Sequence, residues 1–321
     1  MKNKYILICS DEEEGSTDLV CDWLNHFNKP FIRISSLDLI KIENVKIFNK
    51  DIDIEFKVKN KKYFLSEIKS FWHRRSNLAF ESIYKVENII DSEDISFAMN
   101  ISLSKEYEKV IEYFEKKLNA KAKLNKDIDN KINKLEVLSI ASNLGIAIPN
   151  TLITSRKKDL DLFGESSLIT KAIGDIMFKR ENYSYAMMTN KISKSEIKYN
   201  EFFHTAFQNQ VDKEFELRIF FVENKFYSTA IFSQSNEKTE VDFRNYDYEF
   251  PNRVIPFNLH KEIKNKLSKL MKKLDLKSGS IDMAYTKDAE YVLFEVNPVG
   301  QFEQVSFPCN FNLHKKIAVL L

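Results

Sequence analysis

Two carboxylates and an amide recur at close spacing near the end of the chain, in Ser280-Ile-Asp282-Met-Ala-Tyr-Thr-Lys-Asp-Ala-Glu-Tyr-Val-Leu-Phe-Glu295-Val-Asn297-Pro-Val-Gly300. The apolar alternation on either side of Asp288-Ala289 predicts a hairpin with a tight turn there. In such a hairpin the numbers of facing residues sum to about 577. Asp282 and Glu295 therefore stand opposite each other, and Asn297 points to the same face. Two bare carboxylates that close repel each other unless a cation lies between them. Three hard oxygen donors with open positions suit Mg²⁺ shared with a phosphate. The plain alternative is a solvated hairpin face.

A second group lies upstream, in Ala206-Phe-Gln208-Asn-Gln-Val211 and Glu216-Leu-Arg218-Ile-Phe-Phe221. Glu216 and Arg218 alternate with Leu217 and Ile219, so they share one strand face and leave the other to a core. A cross-strand ion pair accounts for them equally well. Arginine occurs only 8 times against 41 lysines, so an arginine inside an apolar run stands out. Its planar fork suits carboxylate and phosphate. Arg244, in Val241-Asp-Phe-Arg244, is another of the few. Lys134 and Lys171 carry little weight singly among so many lysines.

These groups need elements to hold them. The chain has 321 residues, 43% hydrophobic and 30% charged, with a net charge of +2. That balance is globular and excludes disordered, collagen-like and disulfide-stapled classes. Near-neutral charge gives no general reason to bind nucleic acid or acidic membranes. Cys9, Cys21 and Cys309 form no CxxC or Cys/His cluster, which argues against zinc and for a reducing compartment. The N-terminal apolar run is too short for a signal peptide, and no stretch approaches a membrane span, so the expected location is cytoplasmic.

Tyr5–Cys9, Thr17–Phe27 and Phe31–Ile34 read as strand, helix and strand, the opening of an α/β unit. A single glycine follows the first strand, so this is no dinucleotide fingerprint. Ile95–Leu118 reads as a long amphipathic helix, and a lysine-rich stretch after it reads as a linker. Lys131–Leu144 reads as a helix that Gly145 stops. Further strands are expected at Leu152–Thr154, Ser167–Lys171, Phe215–Val222, Phe226–Ser233, Ser280–Thr286 and Tyr291–Val296, with a helix at His260–Leu274. The expected division is 1–120, 121–195 and 196–321.

Taken in order, these pieces resemble the ATP-grasp ligases. The order is Lys134 fifteen residues before Pro149, strand Lys171, Phe-Gln at 207–208, Glu-Leu-Arg, Asp-Phe-Arg, Ile-Asp and Phe-Glu-Val-Asn-Pro. Phe71-Trp-His-Arg-Arg75 and the ending Asn297-Pro-Val-Gly-Gln-Phe-Glu-Gln-Val-Ser-Phe-Pro-Cys309 resemble one branch, the graspetide synthetases. These are macrocyclases of ribosomally made peptides, and the likeness extends to the grasp-with-spasm maturases. The resemblance implies an α/β chain: an ATP-grasp fold of two α+β lobes clasping ATP, preceded by a Rossmann-like N-terminal domain.

The resemblance also implies roles. Lys134 and Lys171 would hold ATP phosphates. Gln208, Asn209, Gln210 and Val211 would form the hinge that reads adenine, and Glu216 would bind ribose. Asp282, Glu295 and Asn297 would hold Mg²⁺. Arg218 and Arg244 would clamp the γ-phosphate and the carboxylate that receives it. His73, Arg74 and Arg75 would meet acidic side chains of a precursor peptide, with a salt-bridged domain interface as the alternative for the arginines. The product would be an ω-ester or ω-amide ring, and a homodimer is compatible. An intermolecular ligase, or a non-catalytic peptide-binding module, would share most of these features. The segment 172–182 carries one glycine where many such enzymes have a glycine-rich flap, and it reads as a polar loop.

Overall fold

The computed structural model describes residues 4–82, 93–126, 132–164, 166–174, 177–180, 183–186, 189–235, 239 and 247–321. Two compact units emerge. The first joins Met1–Asp127 to the last ten residues, Asn312–Leu321, and the second is Ile128–Phe311. The tail therefore belongs with the beginning of the chain, which a division in chain order does not convey.

In the first unit, β1 (Tyr5–Ser10), α1 (Gly15–His26) and β2 (Phe31–Ile34) form the expected strand-helix-strand. β1 is central in a parallel sheet of order β2-β1-β6, with β6 at Ile68–Arg75. It is buried almost throughout, as a strand covered on both faces must be. A second sheet has order β5-β4-β3-β7, from β3 (Leu39–Phe48), β4 (Asp51–Val58), β5 (Lys61–Phe64) and β7 (Ala79–Phe80). Phe114 and Leu118 of α2 (Glu93–Asn119) join Leu7, Ile34, Phe56 and Phe71 in the core. The tail helix α6 (Leu313–Leu320) packs on α1.

In the second unit, α3 (Lys134–Asn143) begins at Asn133, whose side chain caps Leu135 N–H at 2.9 Å. Gly145 ends it at φ +69°, a left-handed position that favours glycine. A four-stranded antiparallel sheet follows, of order β12-β9-β13-β8. Its strands are β8 (Thr151–Arg156), β9 (Leu168–Lys171), β12 (Asn190–Ile192) and β13 (Glu201–Asn209). Between them, β10 (Met177–Arg180) pairs antiparallel with β11 (Tyr183–Ala186). The stretch expected as a polar loop thus contributes a hairpin strand. Its Met-Phe-Lys-Arg does not alternate and is too short to show period two.

The remaining strands form a five-stranded antiparallel sheet of order β16-β15-β14-β17-β18. They are β14 (Lys213–Val222), β15 (Lys225–Phe232), β16 (Arg253–Pro256), β17 (Ser278–Thr286) and β18 (Tyr291–Asn297). One face carries Leu217, Ile219, Ile281, Met283, Leu293 and Val296. Val137 and Ala141 of α3, and Leu267, Leu270 and Met271 of α4 (Lys261–Lys273), complete that core. Period two then assigns the other face to Glu216, Arg218, Ser280 and Asp282. A short helix, α5 (Glu303–Ser306), follows β18. Among the described residues no helix is long and apolar enough to cross a membrane.

Candidate active site

Asp282 and Glu295 are Cα partners across β17 and β18, as the hairpin arithmetic expects. The turn that joins the strands is not the one expected. Thr286 N–H donates to the Glu290 carbonyl at 3.0 Å, and Ala289 has φ +62°. Three residues therefore form the loop, and Met283 pairs with Leu293, one step out of register. A bulge at Phe294 restores the pairing between Met283 and Asp282. In a regular strand Glu295 would share Leu293's face and enter the core. The extra residue turns it onto the face of Asp282.

Two cations contact these carboxylates, and a third contacts the backbone between them. Arg218 is the Cα partner of Asp282 on the other side, and its Nη1 bonds both carboxylate oxygens. Lys134, at the start of α3, places Nζ 3.6 Å from Glu295 Oε2. Lys171, at the end of β9, donates to the bulge carbonyl of Phe294 at 3.5 Å. The chain after Gly145 runs beside β18, where Leu293 N–H donates to the Ala147 carbonyl at 2.8 Å, and this brings α3 to Glu295. Arg218 and Asp282 are each only 7% exposed. Buried Arg218 Nε has no acceptor among the described residues. An orphaned guanidinium donor is suited to an anion with several oxygens.

The donor set also fits a hard cation. Among the described residues no three His, Cys, Asp or Glu side chains gather as a metal group. A cation here would take Asp282 and Glu295, with further oxygens from Asn297 and a phosphate. Asn297 Oδ1 accepts Val299 N–H at 3.0 Å, which leaves one of its lone pairs. Arg218 and Lys134 offset the charge of the same two carboxylates.

Residues 208–211 link the two sheets. Gln208 is buried, its Nε2 donates to Thr151 Oγ1 at 2.8 Å, and its Oε1 has no partner among the described residues. Asn209 exchanges bonds with Asn150, accepting its N–H on Oδ1 at 2.7 Å and donating its own N–H at 3.3 Å. Gln210 N–H donates to the Ser167 carbonyl at 2.8 Å. Asn209, Gln210 and Val211 are half-buried. Glu216 is buried, with Oε1 2.6 Å from Lys213 Nζ and 3.2 Å from Ser233 Oγ. Sequence reasoning missed Lys213, Ser233 and the Phe294 bulge; the burial of one lysine among 41 leaves no mark in the pattern.

His73, Arg74 and Arg75 belong to the first unit. Arg74 is buried, with Nη2 3.2 Å from Glu14 Oε1. Glu14 also caps α1 through Thr17 N–H at 2.8 Å. Arg74 is thus salt-bridged within one unit rather than at a domain interface. His73 is buried with its ring edge-on to Phe71, and Arg75 is half-buried. Arg244 lies outside the described residues. An open cavity of about 840 Å³ lies where α4 begins, lined by Ile146, His260, Lys264, Tyr285 and Tyr291, and touches none of the carboxylate group.

No protein-family model matches the chain, and no curated protein does either. Solved structures do match, and they define the fold as that of the ATP-grasp ligases. The macrocyclase MdnC from Microcystis aeruginosa MRC, bound with precursor peptide MdnA, is similar with a TM-score of 0.73 and 23% identity, covering 99% of each chain. A Chryseobacterium gregarium RiPP-associated ATP-grasp ligase, in complex with ADP and a leader and core peptide, gives 0.76 and 21%, covering 99% of this chain and 95% of its own. The ATP-grasp ligase PsnB, complexed with a minimal precursor, Mg and ADP, gives 0.67 and 12%, covering 100% and 98%.

Proposed function

We propose that the chain is an ATP-dependent carboxylate ligase that cyclises a ribosomally made precursor peptide. The observation that carries this is the gathering of Arg218 on Asp282, Lys134 on Glu295 and Lys171 on the adjacent Phe294 carbonyl. The buried Arg218 Nε adds a donor to spare. Similarity in fold to ligases solved with ADP or a precursor peptide supports the same reading.

A carboxylate is a poor electrophile, because its leaving group would be oxide. Transfer of the γ-phosphoryl group of ATP to an Asp or Glu side chain gives an acyl phosphate and ADP. A Ser or Thr hydroxyl, or a Lys amine, of the same peptide then attacks the acyl carbon. Phosphate leaves with the oxygen, and the attacking group loses its proton. Each ring costs the peptide one water. In this reading Lys134 and Lys171 hold phosphate oxygens as point charges, and Gln208–Val211 and Glu216 bind the nucleoside. Arg218, with Arg244, meets the charge that builds on the transferred group. Mg²⁺ bound by Asp282, Glu295 and Asn297 would neutralise phosphate charge. Arg75 is the better candidate of its pair for an acidic peptide side chain. A cytoplasmic location is part of this reading, and the free Cys9, Cys21 and Cys309 support it.

The test is the intact mass of a candidate precursor peptide after incubation with the chain, ATP and Mg²⁺. ATP-dependent loss of one or more waters supports the proposal, and alkaline lability then separates ester from amide. A gain of an amino-acid residue means an intermolecular ligase. Unchanged mass without ADP means a non-catalytic binding module.

A further inference from the structure

Arg218 engages Asp282 through one nitrogen only, Nη1. A pair held at one nitrogen leaves the guanidinium plane able to pivot, since its fork is not used. Nε gives no second anchor among the described residues. What remains is Nη2, which lies 3.5 Å from the backbone carbonyl of Gln301. That carbonyl is fixed in turn by the Ser280 hydroxyl, which donates to it at 3.1 Å. Ser280 lies two residues before Asp282 on β17 and so shares its face.

The segment that carries Gln301 reaches Ser280 because of one glycine. Gly300 N–H closes a turn onto the Asn297 carbonyl at 3.1 Å. A β-carbon at Gly300 would overlap both Cβ and Oγ of Ser280 and would stand 3.2 Å from the Asn297 oxygen. Backbone and serine cannot both stay in place if residue 300 has a side chain.

We infer that Ser280 is a positioning residue for Arg218. Its hydroxyl fixes the Gln301 carbonyl, and that carbonyl sets the plane of the guanidinium. Gly300 provides the close approach that makes this possible. The inference rests on the proposed reading of Arg218 as the group that meets the transferring phosphoryl. It adds two buried residues, Ser280 and Gly300.

The experiment measures peptide-dependent ADP formation, Tm, and the rotation rate of the Arg218 guanidinium by nitrogen-15 arginine NMR. With 8 arginines in the chain, Arg218→Lys identifies the signal by its loss. Ser280→Ala is expected to lower Tm by no more than about 3 °C, the shift of one modest bond in a chain this size. It should lower kcat roughly tenfold through misorientation, with KM for ATP unchanged. Guanidinium rotation should speed up several-fold. Gly300→Ala should lower both Tm and kcat. Ser280→Gly/Gly300→Ala removes the overlap and should recover Tm while kcat stays at the Ser280→Ala level. Wild-type kcat in Ser280→Ala overturns the inference. So does full recovery of kcat in the double variant, and so does an unchanged rotation rate. If the wild-type chain forms no ADP, the proposed function fails, and the rotation rate still judges whether Ser280 fixes Arg218.

Discussion

Arg218 and Asp282 face each other across β14 and β17 and form a buried ion pair with a single guanidinium nitrogen on both carboxylate oxygens. Removing one partner leaves the other charge buried and uncompensated, which costs about 3 kcal/mol. Asp282→Asn is therefore expected to lower the urea midpoint and to abolish turnover. Arg218→Met/Asp282→Leu replaces both with apolar groups and should recover most of the stability, because the pair's desolvation cost goes with it. It should recover no activity. If activity returned with stability, the pair would be structural only.

Glu295 makes the same point from the other strand. Its carboxylate is held 3.6 Å from Lys134 at the surface end of the site, with side-chain exposure of 15% and 27% for the two. Glu295→Gln is expected to change stability by less than about 1 kcal/mol, since a partly exposed pair at 3.6 Å contributes little. Peptide-dependent ADP release should nevertheless be lost. Normal ADP release by this variant would remove Glu295 from the proposed cation site.

The pairing of Asp282 with Glu295 was legible in the sequence, but partly for the wrong reason. Alternation and a tight turn gave the right partners. The real loop is one residue longer, and the bulge at Phe294 cancels the difference. A bulge is chosen by competing hydrogen bonds and packing, and one Phe in an apolar run does not announce it. The polar face of β14 was equally legible, because Glu216 and Arg218 break an apolar run at period two. Lys213 and Ser280 were not, since burial and close approach are tertiary facts. The return of Asn312–Leu321 to the first unit also has no local signal: α6 is an ordinary amphipathic helix whose apolar residues fit any core.

Gln208 tests the link between the sheets. Its Oε1 is buried without a partner among the described residues, while Nε2 binds Thr151. Gln208→Met keeps volume and shape, loses one bond and removes one unsatisfied acceptor. These effects oppose each other, so stability should change by less than about 1 kcal/mol. If the orphaned oxygen serves the nucleotide, KM for ATP should rise several-fold with kcat nearly constant. An unchanged KM would leave Gln208 as part of the sheet alone.

Gly145 sets the path from α3 to β18. Its φ of +69° is unfavourable for any residue with a β-carbon, although the space around it is open apart from Lys266 Nζ at 3.9 Å. Gly145→Ala should therefore cost about 1 kcal/mol through backbone strain rather than overlap. Gly145→Asn should cost less, since Asn tolerates the left-handed region. Equal midpoints for Ala and Asn in chemical denaturation would contradict this.

The first unit should show its own pH dependence. His314 of α6 is buried near Glu14 and Arg74. Burial lowers its pKa from the ordinary 6.5; Glu14 pulls it up, and Arg74 pushes it further down. For Glu14, burial pushes the carboxyl up, but Arg74, the Thr17 bonds and Arg75 together outweigh that and hold it below 4.5. Both groups bind protons more readily in the unfolded chain than in the folded one, so stability rises with pH in each case. The His314 contribution is present above 6.5 and is lost as pH falls through the lowered folded value. The Glu14 contribution is lost in the same way, starting below 4.5. Trp23 and Trp72, the two tryptophans of the chain, both lie in this unit and report on it alone. The urea midpoint followed by their fluorescence should be level above neutrality, fall below pH 6.5, and fall again below 4.5. His314→Gln should remove the upper step and leave the lower one. Arg74→Met should weaken the lower step, because Glu14 then loses its main opposing charge. An upper step that survives His314→Gln would mean that another group titrates there, and this account of the cluster would be wrong.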